Sequence, residues 1–274
     1  MLRSLDSGVS AMEQFQQRMD VIGNNVANVN TVGFKGARVD FADALSQTLQ
    51  GPGPGGSIQV GTGLGTNSIT NQFIQGAITH TGGLTDLAIS GNGFFVVRDP
   101  ASGAQFVTRA GDFHLDVNGY LVTGAGMRVQ GYSDAGLTTT GDIKIDNTGA
   151  PGGSTSPLAA LNFGSNGSVI VELQDGTQFT RGQVLLQNFQ SPESLLKAGD
   201  NLYSGMAAAG PVGGLGAAGT NGTGSIMASS LEMSNVDLAA EFADLITTQR
   251  AFQASARIIT TSDEILQELV NLKH

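Results

Sequence analysis

The first 50 residues hold four glycines and no proline, the last 44 hold neither, and the 180 residues between them hold 36 of the 40 glycines and all seven prolines. Interior glycine costs a helix up to about 1 kcal/mol and proline about 3. Long helices are therefore confined to the two ends of the chain, and the middle must be built from strands and turns.

Both ends carry helical periodicity. Leu5, Met12, Met19 and Val26 recur every seven residues, and Phe15, Ile22 and Val29 form a second row at the same interval. Two such rows three or four residues apart make one apolar stripe. The pattern predicts a helix that stops near Asn30–Gly33, with Gly33 as its terminator. At the other end Leu238, Leu245, Phe252, Ile259 and Leu266 stand seven apart, after Leu231. Ser234 and Asn235 are good cap residues, and Asp237 suits the positive end of a helix dipole. A helix from Val236 to Leu272 would be on the order of 55 Å long. Its second row is mixed: Phe242, Gln249, Ala256, Asp263 and Val270.

The middle reads as β-structure. Phe113–Val117, Asn118-Gly119 and Tyr120–Val122 form a hairpin signal, because Asn-Gly supplies the positive φ of a tight turn. Val169–Leu173, Asp175-Gly176 and Thr177–Thr180 form a second, and Val184–Phe189 adds a strand. The expected class is α+β: N- and C-terminal helices paired as a coiled-coil-like core (1–50 and 231–274), a central mainly-β domain (67–203), and Gly-rich connecting segments at 51–66 and 204–230. Only 17 charged residues fall within 51–230, which suits a surface covered by neighbours.

Several functions are excluded on composition. There is no cysteine, so no disulfide scaffold or thiolate metal site. A net charge of -10 makes a poor ligand for nucleic acid. No apolar run reaches the roughly 20 residues that span a bilayer, and the charged first 20 residues do not look like a cleaved signal peptide. His80, His114 and His274 lack metal-ligand spacing, and no nucleophile motif stands out, so neither catalysis nor a cofactor is expected. A long apolar seam at each end calls for a cover. The two seams can cover each other, while Ala239, Ala240, Ala243, Ala251, Ala254 and Ala256 leave room for further helices, which points to packing among many copies.

The stretch Met19–Lys35, containing Asn24, Asn25, Asn28, Gly33, Phe34 and Lys35, resembles the N-terminal signature of bacterial flagellar rod and hook proteins. Leu231–Leu238, with Ser234 and Asn235, resembles their second signature, continued through Gln249, Arg250 and Thr260–Glu264, and Asp86–Phe95 is similar to the start of the family's β-domain. Phe41–Leu49 and Glu268–Lys273 look like hook sequence, although hook proteins commonly carry an extra outer domain, for which Asp134–Ser168 is the one candidate remnant. The resemblance implies a hollow helical tube of identical subunits that transmits motor torque as a universal joint. Terminal helices would line the core, and the Gly-rich segments would act as its compliant joint. The alternative within the family is a subunit of the distal rod, a stiff drive shaft; outside it, a secreted fibre or adhesin subunit. The implied partners are further copies of the chain, rod and hook–filament junction proteins, a hook cap protein and the flagellar type III export apparatus, with no membrane insertion. The residues expected to form the assembly core are Leu5, Met12, Phe15, Met19, Ile22, Val26, Leu238, Leu245, Phe252, Ile259 and Leu266.

Overall fold

A computed structural model describes residues 2–50 and 58–272. The chain divides into two compact units and passes between them four times: one unit comprises the described parts of Met1–Val29, Gly36–Gln72 and Val236–His274, the other Asn30–Lys35 and Phe73–Asn235.

The first unit contains the two long helices, α1 (Leu2–Ala27) and α2 (Leu238–Asn271), and the strands β1 (Ala37–Asp43), β2 (Ser46–Gln50), β3 (Ile58–Gly61) and β4 (Leu64–Asn71). α2 matches the expected span closely. Its cap is Asp237, whose carboxylate accepts from the Ala239 and Ala240 amides at 2.8 and 3.4 Å. Ser234 and Asn235 lie before it, and Asn235 donates instead to the Ile74 carbonyl at 3.3 Å. α1 ends at Ala27, earlier than expected, where the Asn28 side chain donates to the Asn24 carbonyl at 3.0 Å. Gly33 therefore terminates no helix.

Residues 37–50 were expected to be the tail of the helical domain, 51–66 a linker and 67–71 the start of the β-domain. They form an antiparallel β-arm, β1 pairing with β4 and β2 with β3. Residues 51–57 lie outside the described residues. The arm returns to α1: Phe15 and Phe41 stack edge-to-face with centroids 6.2 Å apart, and the Thr66 hydroxyl bonds the side-chain oxygens of Gln14 and, at 2.6 Å, Gln17. Residues 58–61 and 64–66 are thus strand in this arm, where a joint between helix and β-domain was expected. β-Branched residues in both strands (Val39, Thr66, Ile69) favour pairing, which glycine does not prevent because the ladder bonds are backbone to backbone.

The second unit is a large antiparallel sheet. Eight strands lie side by side in the order Leu158–Phe163, Ser168–Leu173, Gln178–Phe189, Arg128–Tyr132, Phe94–Arg98, Gln105–Thr108, Leu202–Ser204, Leu196–Gly199. Both expected hairpins form, His114–Leu115 with Leu121–Val122, and Ser168–Leu173 with the long strand Gln178–Phe189 that absorbs the expected Val184–Phe189. Side chains alternate across a strand. Phe95 and Val97 therefore enter one cluster with Leu121, Val129, Val171, Val184 and Leu186, while Phe94 and Val96 enter another with Val107, Phe189, Leu195 and Tyr203. The central strand is buried on both faces, hence the unbroken Phe-Phe-Val-Val.

Residues 204–230 are not a connecting segment. Pro211–Ala217 pairs with Gln178–Phe189, and Ser225–Ala228 pairs with Leu87–Ser90. The segment Asp134–Ser168 is no remnant of a separate domain either, since Ile143, Ile145, Ala150, Leu161 and Phe163 lie in the larger cluster.

Candidate functional site

Two constructions stand out, one in each unit, and both gather residues from the two chain ends. In the first unit α1 and α2 run antiparallel along one another. Ser4 and Ser262 hydroxyls lie 3.5 Å apart, Arg18 pairs with Asp244 at 3.3 Å, and Asn25 donates to Glu241 at 2.9 Å. The helices approach closely at Gly8, where a Cβ would lie 3.1 Å from Ile259 Cγ1 and 3.6 Å from the Ser255 carbonyl.

The seam differs from the expected one. Of the assembly-core residues, Ile22 is buried; Leu5, Met12, Phe15, Met19, Val26, Leu245, Phe252, Ile259 and Leu266 are half-buried; Leu238 is exposed. The buried row of α2 is Thr248, Ser255 and Ser262, seven apart. Thr248 and Ser255 bond the carbonyls four residues back, at 2.7 and 3.1 Å, so small polar side chains are buried without an unmet hydroxyl. The expected second row of Phe242, Gln249, Asp263 and Val270 is exposed, with only Ala256 half-buried.

Asn25 closes this unit. Its amide donates to the Ala37 carbonyl at 2.9 Å as well as to Glu241, and its oxygen accepts from the Ala37 amide at 3.0 Å. The side chain thus pairs with a backbone unit at the start of β1 while holding α2. Burial pushes the Glu241 carboxyl up from its ordinary value, against the Asn25 bond. Asp244 and Glu241, acids on the same helix as Arg250, are taken by α1, while Asn24, Gln249 and Arg250 are exposed.

In the second unit the signature segments meet in a buried ionic cluster. Lys35 and Glu232 are both fully buried, with Nζ 2.6 Å from Oε1. Lys35 also donates to the Ile74 carbonyl at 2.8 Å. Glu232 is held further by the Gly76 amide at 2.9 Å and by Arg109 at 3.3 Å. Arg109 donates to the Gly91 carbonyl at 2.9 Å and lies over the Phe94 ring, 5.1 Å from its centroid. Burial pulls the Lys35 ammonium below its ordinary pKa, and the attraction of Glu232 opposes this. Burial likewise pulls Arg109 down against the pull of Glu232.

The backbone around this cluster is stitched as well. The Gly33 amide donates to the Glu232 carbonyl at 2.7 Å, Asn201 to the Val32 carbonyl at 2.9 Å, and Lys197 to the Lys35 carbonyl at 3.2 Å while covering the buried Phe34 ring at 4.7 Å. Gly33 has φ 67°, and a Cβ there would sit 2.4 Å from the Ala110 amide nitrogen. Gly33→Ala is therefore expected to destabilise the second unit by about 2–3 kcal/mol, since left-handed strain alone costs a non-glycine 1–3. Thermal unfolding checks this, and an unchanged transition would remove Gly33 from the tie.

Neither construction is a catalytic or metal centre. Among the described residues no group of three or more acidic or histidine side chains is placed to hold a metal ion, and no helix is long and apolar enough to cross a membrane.

Three family descriptions match the chain: "Flagella basal body rod protein" over residues 5–35, "Flagellar hook protein FlgE/F/G D1 domain" over 88–171, and "Flagellar basal body rod FlgEFG protein C-terminal" over 227–272. The first and last end on or span Lys35 and Glu232. The chain is 44% identical to the flagellar basal-body rod protein FlgG of Bacillus subtilis, with all of both chains covered. It is 36% identical to FlgG of Buchnera aphidicola subsp. Schizaphis graminum, over 99% of this chain and all of that one. The flagellar hook protein FlgE of Borreliella burgdorferi is 28% identical, with all of both chains covered. These relatives are structural proteins, not enzymes, and the chain belongs to the bacterial flagellar rod and hook axial protein family.

Proposed function

We propose that the chain is a subunit of the distal rod of the flagellar basal body, polymerising into a tubular drive shaft, rather than the hook subunit that its Phe41–Leu49 and Glu268–Lys273 segments suggested. The observation that carries this is end-to-end similarity at 44% identity to a basal-body rod protein of matching length. The hook relative aligns only over 445 positions, so well over a third of them have no counterpart in 274 residues. The fold agrees with a stiff part. Where described, the segments whose glycines suggested a compliant joint carry paired strands, and Asp134–Ser168 belongs to the main core.

The terminal helices form a coiled-coil-like inner core in this reading, and further copies pack on them. Phe242, Ile246, Ile258, Ile265, Leu269 and Val270 are each 47–60% exposed along α2, an apolar surface that a lone chain leaves wet. A subunit joined to the next through unlike surfaces builds an open helical array. The export apparatus and neighbouring rod and hook proteins are its partners.

Electron microscopy of purified hook–basal bodies carrying an epitope tag in the exposed Asp99–Gly103 turn tests the assignment. Label on the straight shaft is the expected result. Label on the curved segment would return the chain to the hook, and absence of label from the particle would overturn both.

A further inference from the structure

The two helices carry complementary outer faces that cannot meet within one chain. On α1, Asp6, Glu13 and Asp20 are exposed and seven residues apart, and Val9, 43% exposed, stands between the first two. On α2, Arg250 and Arg257 are exposed and also seven apart, with Gln253 and Ala254 between them. None of these five charges is in an ion pair among the described residues. The inward sides are already used: Gly8, Ile22 and Asn25 are buried on α1, and Thr248, Ser255 and Ser262 on α2.

Arg250, Gln253, Ala254 and Arg257 stand at i, i+3, i+4 and i+7 and enclose a shallow concavity. Those four positions are the corners of the hole that receives one side chain of a facing helix. Ala254 leaves its floor open. On α1, Asp6 and Glu13 stand three before and four after Val9, on the same ridge. The charges on both helices repeat every about 10 Å.

We propose that α1 of one copy docks by this face on α2 of the next, with Val9 seated in the hole between Arg250 and Arg257. The helices meet antiparallel, Asp6 beside Arg257 and Glu13 beside Arg250. This rests on the polymeric reading above and names the contact that reading needs. Charge complementarity and equal spacing select a second copy of this chain as the occupant. Because Ser4 is level with Ser262 and Gly8 with Ile259 in each pair, knob and hole differ in height by only on the order of 5 Å. Neighbouring helix pairs therefore stand side by side and nearly level. Knob and hole differ, so the contact does not close on itself and continues from copy to copy.

The chain lacks cysteine, which permits a clean test. Shafts assembled from a Val9→Cys/Ala254→Cys chain, oxidised with copper phenanthroline, should give a ladder of linked dimers, trimers and larger species, and neither single variant should. A normal shaft without a ladder, or with a dimer only, would overturn the contact. As a second arm, Arg250→Glu/Arg257→Glu should abolish motility and shaft assembly, and adding Asp6→Lys/Glu13→Lys should restore them. Normal assembly of the arginine variant, or failure of the combined one, would overturn it too. If the unaltered chain is absent from basal bodies, the rod reading itself falls. If it is present and the variants give the overturning results, only the contact falls.

Discussion

Replacing Glu232 with Gln will destabilise the β-rich unit by about 3–5 kcal/mol, and more than Lys35→Met does. The cluster holds two cations and one anion, all buried. Removing the anion leaves Lys35 and Arg109 facing each other in a medium of low dielectric, without water to replace the lost charge. Removing Lys35 leaves Arg109 and Glu232 as a balanced pair at 3.3 Å, and Met fills much of the lysine volume. For a unit of this size the Glu232→Gln loss corresponds to a fall in Tm on the order of 10 °C. Calorimetry of the two variants checks the order. A larger effect of Lys35→Met would mean that Glu232, not the cations, is the costly partner, and that Arg109 does not sustain it.

That tie also shows where sequence reading succeeds and fails. Lys35 is the only charge between Asp20 and Arg38, and Glu232 the only one between Asp200 and Asp237. Two lone charges of opposite sign, one in each signature segment, were a usable sign of a buried pair. Alternation hid it: Glu232 between Leu231 and Met233 looks like the solvent side of a strand. Arg109 left no comparable trace. Its role depends on strands far apart in sequence meeting at Gly91, Phe94 and Glu232.

The helices were legible because their period is local. Seven-residue rows and the scarcity of Gly and absence of Pro placed both long helices, to within a few residues at α2. Their facing was less legible. Hydropathy selects large apolar residues, but a close helix contact is made by small ones, so Gly8, Thr248, Ser255 and Ser262 were passed over. Asn25 illustrates the same limit, since an asparagine near a helix end is ordinary until Ala37 and Glu241 are seen around it. Glycine content misled in the 37–71 arm and in 204–230. There the described glycines sit in turns and ladders whose bonds need no side chain.

Phe252→Asp is expected to block incorporation into the shaft while the β-rich unit keeps its thermal transition. Phe252 is half-buried and stands three residues before Ser255, whose carbonyl faces Gly8, and two turns before Ile259, which meets the same glycine. Fully burying a Phe is worth about 3 kcal/mol against exposure, so a half-buried one contributes roughly half of that, and the carboxylate adds a desolvation cost. The helix pair can ill absorb this. Its buried row is hydroxyls, its ends are joined by single polar contacts, and an isolated helix is marginal in water without an apolar face to pack. The second unit draws its core from other residues, Phe95, Val129, Leu186 and their neighbours, none of them in the helices. The two units should therefore respond separately. Circular dichroism should lose helical signal, calorimetry should retain the β-unit transition, and cells should lack shafts beyond the point where this subunit is added. Normal shafts would remove the α1–α2 seam from assembly. Loss of both transitions would show that the helix pair supports the β-rich unit, and the test would then pass to Gly8→Val, which presses on the same seam from α1 without introducing charge.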